Sequence, residues 1–132
     1  MAAQPAWLSA HGSYTPAMNV RRWLEEPVEE LSPTIGRQVI HTETMTLARV
    51  LLRRGAFVPR HAHANEQIAN VLEGRIRFGV GDEERVLSGG ESLTLPANVP
   101  HDAEALEDSI VLDVFSPVRE DWLRGEDAYL RG

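Results

Sequence analysis

No cysteine occurs among the 132 residues. That excludes a disulfide framework and thiolate chemistry, and it leaves any metal to histidine, carboxylate and amide ligands. Positive charge is scarce as well: 13 basic residues stand against 20 acidic ones, a formal net charge of -7. Nucleic acid and anionic membrane surfaces both demand a basic face, so neither is an expected partner. A small acidic ligand survives that argument, because a few arginines can set the sign locally. Nothing in the chain approaches the run of about 18 apolar residues that a spanning helix needs. The N-terminal "MAAQPAWLSAHGSYTPAM" lacks the basic start and continuous apolar core of a signal peptide, and the expected location is cytoplasmic. Internal repeats and low-complexity segments are absent too.

What is present describes one domain with a real core, at 42% hydrophobic residues. Residues 1–27 are expected to form an N-terminal arm, rich in Ala, Pro, Ser and Gly at its start, with Trp7 and Trp23 as candidate anchors. Pro27 and Pro33 prevent one long helix over "RRWLEEPVEELSPTIG" and suit a short extended approach to a sheet. From Gly36 onward the pattern is strand throughout. "RQVIH", "MTLARVLLR", "EQIANVLEG", "RIRFGV", "ERVLS", "SLTLP" and "SIVLDVF" are separated by turn material such as "GDE", "SGGE" and "PANVP". This spacing predicts an all-β antiparallel sandwich or small barrel over 28–124, with a short helical or irregular tail over 125–132.

Two windows carry the chemistry. In "GAFVPRHAHANEQIANVLEG", His61 and His63 are two apart, so on an extended chain both side chains lie on one face. If Ala64, Asn65 and Glu66 form the bend, Gln67 begins the next strand opposite His63. Glu66 is the competing ligand, but it would lie on the other face. In "GGESLTLPANVPHDA" a glycine turn and a proline-bounded loop deliver His101 as a fourth candidate. His11 and His41 are read as surface or hydrogen-bonded residues, and Arg60, Arg75 and Arg77 as solubilising charges. Asp113 is the only charge in "SIVLDVF", where a carboxylate is costly unless partnered or used. A hairpin turning at Glu107 would set Asp113 directly across from His101, with Val111 and Phe115 on the same face. Ile110, Leu112 and Val114 then make the opposite face apolar, which predicts a homodimer or a covering arm.

Gly55, His61-x-His63, Gln67 and Gly74, in that spacing, resemble the first motif of the cupins, in which the last ligand is more often Glu. "GESLTLPANVPH" resembles the second motif, with Gly90, Pro96 and His101 in place. Asn98 stands at the usual glycine, a tolerable change because Asn visits the left-handed region, and Ala105 stands where an Asn usually ends the motif. The resemblance implies a cupin jelly-roll barrel holding a divalent metal on His61, His63, Gln67 and His101. Ligand type does not choose among zinc, nickel, manganese, cobalt and iron.

Within the cupins, "HAHANEQIANVLEG" and "PANVPHDAEALEDSIVLDVFSPVREDW" resemble the small uronate-ring-opening cupins of the KdgF family. That likeness implies conversion of cyclic 4,5-unsaturated monouronates to linear ketonised acids, with Asp113, Phe115 and Arg119 as the catalytic residues. Asp113 alternatively orients a ligand histidine. Arg119 either holds a carboxylate over the barrel mouth or makes a surface pair with Glu120 or Asp121. A neutral Gln67 leaves the full charge on the metal and so favours an anionic sugar acid. Another metal-dependent isomerase or lyase, an Fe(II) dioxygenase and a non-catalytic sugar or metal binder are the remaining classes, since cupins host many functions.

Overall fold

A computed structural model of the chain describes residues 18–132; Trp7 and His11 lie outside that range. Ten strands follow one another: β1 (Glu29–Ser32), β2 (Ile35–His41), β3 (Thr46–Leu52), β4 (Phe57–His61), β5 (Glu66–Glu73), β6 (Arg75–Val80), β7 (Glu83–Ser88), β8 (Glu91–Leu95), β9 (His101–Ala105) and β10 (Ser109–Ser116). A short helix α1 (Glu120–Leu123) and a 3-10 turn (Ala128–Leu130) follow. The strands form two antiparallel sheets, ordered β1-β2-β3-β10-β5-β8 and β4-β9-β6-β7, the all-β jelly roll that the motifs imply. No helix among the described residues is long and apolar enough to cross a membrane.

Alternation along the strands sorts the interior into layers. Val111 of β10 pairs with Val50 of β3 and Val71 of β5, Asp113 with Ala48 and Ala69, and Phe115 with Thr46 and Gln67. The first layer belongs to an apolar core shared with Leu52, Ile76 and Phe78. The second leaves space, because both alanines beside Asp113 are fully buried and carry only a methyl group. The third is polar on two sides and faces the metal-ligand candidates.

The hairpin expected between β9 and β10 is not formed. β9 pairs with β4 and β6, whereas β10 pairs with β3 and β5 in the other sheet. Both flanks of β9 are taken, so the chain crosses between sheets at Glu107 and Asp108. Asp108 accepts the Arg54 N–H at 2.8 Å and the Ser109 hydroxyl bonds the Glu107 carbonyl at 2.8 Å, which fixes the crossing. Asp113 and His101 therefore line one interior cavity rather than facing each other across a ladder.

The N-terminal segment docks through its backbone. Gln38, 2% exposed, donates to the carbonyls of Trp23 and Glu26 at 2.7 and 2.9 Å. At the other end the chain turns back over the barrel, with Leu130 buried in the core. Asp127, 2% exposed, pins this cap by accepting from Arg37 at 2.9 Å and from Arg131 at 2.9 and 3.1 Å.

The crossing explains the last glycine of the first motif. Gly74 has φ +89, and a Cβ there would lie 2.1 Å from Ser109 Oγ and 2.4 Å from the Asp108 carbonyl. Gly55 has the same φ but open space around it. Gly74→Ala is expected to cost roughly 2–5 kcal/mol from strain plus overlap, and Gly55→Ala only about 1–2 kcal/mol from strain. Urea denaturation of the two variants checks this, and equal costs would contradict the close crossing.

Candidate metal centre and cavity

His61 and His101 are ladder partners at the ends of β4 and β9, which puts their rings side by side with centroids 4.3 Å apart. His63 lies two residues beyond the end of β4 and reaches the same point, 4.8 Å from the His101 ring. Gln67 does not sit opposite His63 in a ladder as expected. It pairs with Phe115 and Leu95 in the other sheet, and the contact is made by side chains across the interior: Gln67 Oε1 lies 3.2 Å from His63 Nε2. Glu66 is exposed, as the alternation requires.

Each imidazole is tethered in the same way. His61 Nδ1 bonds the Pro59 carbonyl at 2.8 Å, His63 Nδ1 that of Asn65 at 3.0 Å, and His101 Nδ1 that of Val99 at 2.9 Å. A carbonyl only accepts, so Nδ1 carries the proton and Nε2 keeps a lone pair directed inward. The three candidate ligand atoms lie within 4.8 Å of one another. Burial pushes the pKa of His61 and of His63 down to about 4 and lowers that of His101, so all three rings are neutral at neutral pH. This donor set fits a divalent cation.

The fourth candidate is oriented by Asp113. Gln67 Nε2 donates to Asp113 Oδ1 at 2.9 Å, which turns the amide oxygen toward the histidines. The carboxylate thus orients the candidate glutamine and not one of the candidate histidines. Burial pushes Asp113 up to about 7, against the Gln67 hydrogen bond and the charge of Arg119.

Arg119 makes its pair with Asp121 in the cavity wall and not at the surface. It is 1% exposed and lines the cavity, yet its Nε and Nη2 donate to Asp121 at 3.0 and 2.8 Å. The edge that would grip a carboxylate bidentately is therefore taken. Its backbone N–H is anchored to Thr46 Oγ1 at 2.9 Å, the hydroxyl that also holds His41 at 2.8 Å. Phe115 packs edge-on to His63, 5.6 Å away, and carries the Arg119 guanidinium 4.6 Å from its centroid. Arg60, Arg75 and Arg77 are paired with Asp102, Glu104 and Glu107.

A cavity of about 70 Å³ runs from His61, His101 and Gln67 past Asp113 to the apolar floor at Val111 and Ile76. That volume takes on the order of five waters, the scale of a small organic acid. Several residues in and around the site escape sequence reasoning. Asn65, 6% exposed, ties the ligand loop to the Pro117 carbonyl at 2.6 Å. Trp122 and Tyr129 come from the C-terminal segment, where no periodicity marks them. Arg37 was legible in principle, because it shares the inward face of β2 with Ile35 and breaks that face's apolar pattern. Its Nη1 is the buried side-chain polar atom without a hydrogen-bond partner among the described residues.

Asn98 adopts φ 63, the left-handed conformation its motif position calls for, and its N–H bonds the His63 carbonyl at 2.8 Å. The two motif loops are thereby joined. The family profile for the cupin domain matches residues 48–115, and the chain belongs to the cupin family. Within that family it is similar to the pectin degradation protein KdgF of Dickeya dadantii (strain 3937), at 33% identity over 102 residues that cover 75% of this chain and 93% of that one. The solved structure of KdgF from Halomonas sp. superposes with a TM-score of 0.73 at 35% identity, covering 76% of this chain and 96% of that one. An RmlC-like cupin from Shewanella frigidimarina gives a TM-score of 0.75 at 27% identity over 80% and 96% of the two chains.

The neutral histidines set a pH dependence for the metal-free protein. His61 and His63 stay neutral in the fold down to about pH 4, but protonate near pH 6.5 once unfolded. In that window the unfolded chain binds two more protons at these sites, and His101 adds in the same direction. Asp113 opposes them by holding one proton in the fold up to about pH 7 that the unfolded chain releases above about pH 4. With more protons bound by the unfolded state, stability falls as pH drops through the window, by roughly 1–3 kcal/mol per pH unit at the steepest. Urea denaturation of chelator-treated protein across the window measures this slope. A flat or opposite slope would contradict buried neutral imidazoles.

Proposed function

We propose that this protein is a metal-dependent enzyme of pectin degradation that opens the ring of cyclic 4,5-unsaturated monouronates to linear ketonised acids. The observation that carries the reading is the Asp113 carboxyl, pushed up to about 7, facing a cavity beside three neutral imidazoles and an amide. The similarity to KdgF supports it. A divalent metal held by His61, His63, Gln67 and His101 would act as a Lewis acid on a substrate oxygen, keeping its full double charge because every ligand is neutral.

Asp113 supplies the proton transfers. As carboxylate it takes the proton of the anomeric hydroxyl while the bond from that carbon to the ring oxygen breaks. The anomeric carbon becomes an aldehyde and the ring oxygen that of an enolate, and the same carboxyl returns the proton to the carbon next to the one bearing that oxygen, giving the ketone. One proton leaves oxygen and one reaches carbon, so the step is an isomerisation without redox change. A pKa near 7 suits a group that must accept and then donate. Phe115 keeps the Arg119 guanidinium beside the reacting centre, and the unpaired Nη1 of Arg37 adds to a field that favours an anion.

We also propose a homodimer. Ile40, Leu47, Val114 and Ile68 are consecutive ladder partners on the outer face of the six-stranded sheet, and Ile68 and Leu72 remain 45% and 47% exposed. Sedimentation as a monomer at micromolar concentration would remove the dimer. The reaction itself is tested with lyase-generated unsaturated uronates, whose conjugated double-bond absorbance should decay only with the metal-loaded protein. Asp113→Asn keeps an acceptor for Gln67 but removes the base, and at saturating metal the rate should fall by roughly 10²–10⁴. Near wild-type turnover there would reduce Asp113 to an orienting residue.

A further inference from the structure

Tyr129 lies in the site, and the mechanism above makes no use of it. Its ring stacks on His61 with centroids 4.3 Å apart and planes 28° from parallel. The hydroxyl oxygen accepts from Arg119 Nη2 at 2.7 Å and from Trp122 Nε1 at 3.1 Å. Both partners are pure donors, since neither a guanidinium nor an indole N–H has a lone pair to return. A phenol oxygen has two lone pairs and one proton, so its acceptor capacity is filled and only the proton remains to be given. Among the described residues no acceptor takes that proton, and Tyr129 lines the cavity.

The hydroxyl has little freedom to turn elsewhere. Leu130 is locked in the core, and Asp127 is gripped by Arg37 and Arg131, so the chain is held just before and just after Tyr129. Arg119 is in turn held by Asp121.

We infer that Tyr129 is a ligand-binding residue whose O–H donates to a carboxylate oxygen of the bound sugar acid. The inference rests on the proposed function for the identity of that acid. A sugar hydroxyl donates as well as accepts, whereas a carboxylate only accepts. Apart from the inward imidazole nitrogens and the free oxygen of Asp113, the groups left unpaired around the cavity are donors: the Tyr129 hydroxyl and Arg37 Nη1. Such a set matches a partner that offers lone pairs alone. The two N–H groups on the phenol oxygen, one of them cationic, also polarise its O–H and strengthen it as a donor.

Tyr129→Phe keeps the ring on His61 and removes the hydroxyl. Metal-loaded wild type and variant are titrated calorimetrically with galacturonate, a uronate without the reacting double bond, and with galactose, its uncharged counterpart. Wild type should bind the acid more tightly than galactose. The variant should lose roughly 10- to 100-fold in affinity for the acid, with galactose affinity and metal content unchanged. Equal wild-type affinity for acid and galactose, or a variant that binds the acid as wild type does, overturns the inference. A second substitution covers the case in which Tyr129→Phe disturbs the cap. Placing 3-fluorotyrosine at the position retains the ring and hydroxyl but makes the phenol more acidic, and should tighten binding of the acid; unchanged or weaker binding overturns the inference as well. Binding is read as heat, so failure to turn over unsaturated uronates would sink the proposed reaction without altering this result.

Discussion

The hydrogen bond from the Gln67 amide to Asp113 is the contact on which the arrangement of the site depends. A buried carboxylate needs a donor, and an amide that is a candidate metal ligand needs its oxygen turned the right way; one bond meets both requirements. Without it the amide has no reason to present oxygen rather than nitrogen to the histidines. Asp113 would then keep the cost of burial with only the charge of Arg119 to offset it. The same bond restrains the carboxyl from rising further in pKa, since it favours the charged form that burial opposes. The value near 7 is a compromise between the barrel's dryness and a single amide donor.

That compromise is made possible by the layer around it. Ala48 and Ala69 flank Asp113 in the ladders and leave the space that a larger pair would fill. One layer deeper, Val50, Val111 and Val71 close the interior with apolar packing, which keeps water from solvating the carboxylate from below. One layer outward, Thr46, Phe115 and Gln67 begin the polar end. The change from valine to alanine to mixed polar residues along three adjacent strands sets depth, polarity and volume together.

The metal-ligand candidates and the barrel were legible because they are written locally. Gly55, Gly74, Gly90 and Asn98 all have positive φ, and the histidines sit at short fixed distances from these turns, so spacing alone aligns them. The inward direction of Asp113 was likewise readable from alternation in one strand. Strand pairing was not: the hairpin rule joined β9 to β10, and the structure separates them because each already has two partners. Long-range pairing is decided by competition among all strands, which a local pattern does not encode. The cap escaped for a related reason. Trp122, Asp127 and Tyr129 act one side chain at a time, through an indole N–H, a carboxylate and a phenol, and no period connects them.

The arginines show how an acidic chain can still build a site rich in hydrogen-bond donors. Charge is neutralised selectively: Arg119 is matched by Asp121, and Arg37 and Arg131 share Asp127 and Glu29. In each case the acidic partner engages the Nε and Nη2 side or approaches from the surface. Formal charge is thereby nearly cancelled, which lowers the cost of burying a guanidinium, while N–H groups turned away from the carboxylates keep their hydrogen-bonding capacity. Trp122 reinforces the arrangement by lying against both guanidiniums, 4.4 Å from Arg37 and 4.2 Å from Arg119, so that each cation is stabilised by an aromatic face without losing a donor. An anion entering such a cavity meets directed hydrogen bonds rather than bare charge, and selection by geometry becomes possible where net charge alone would attract any acid.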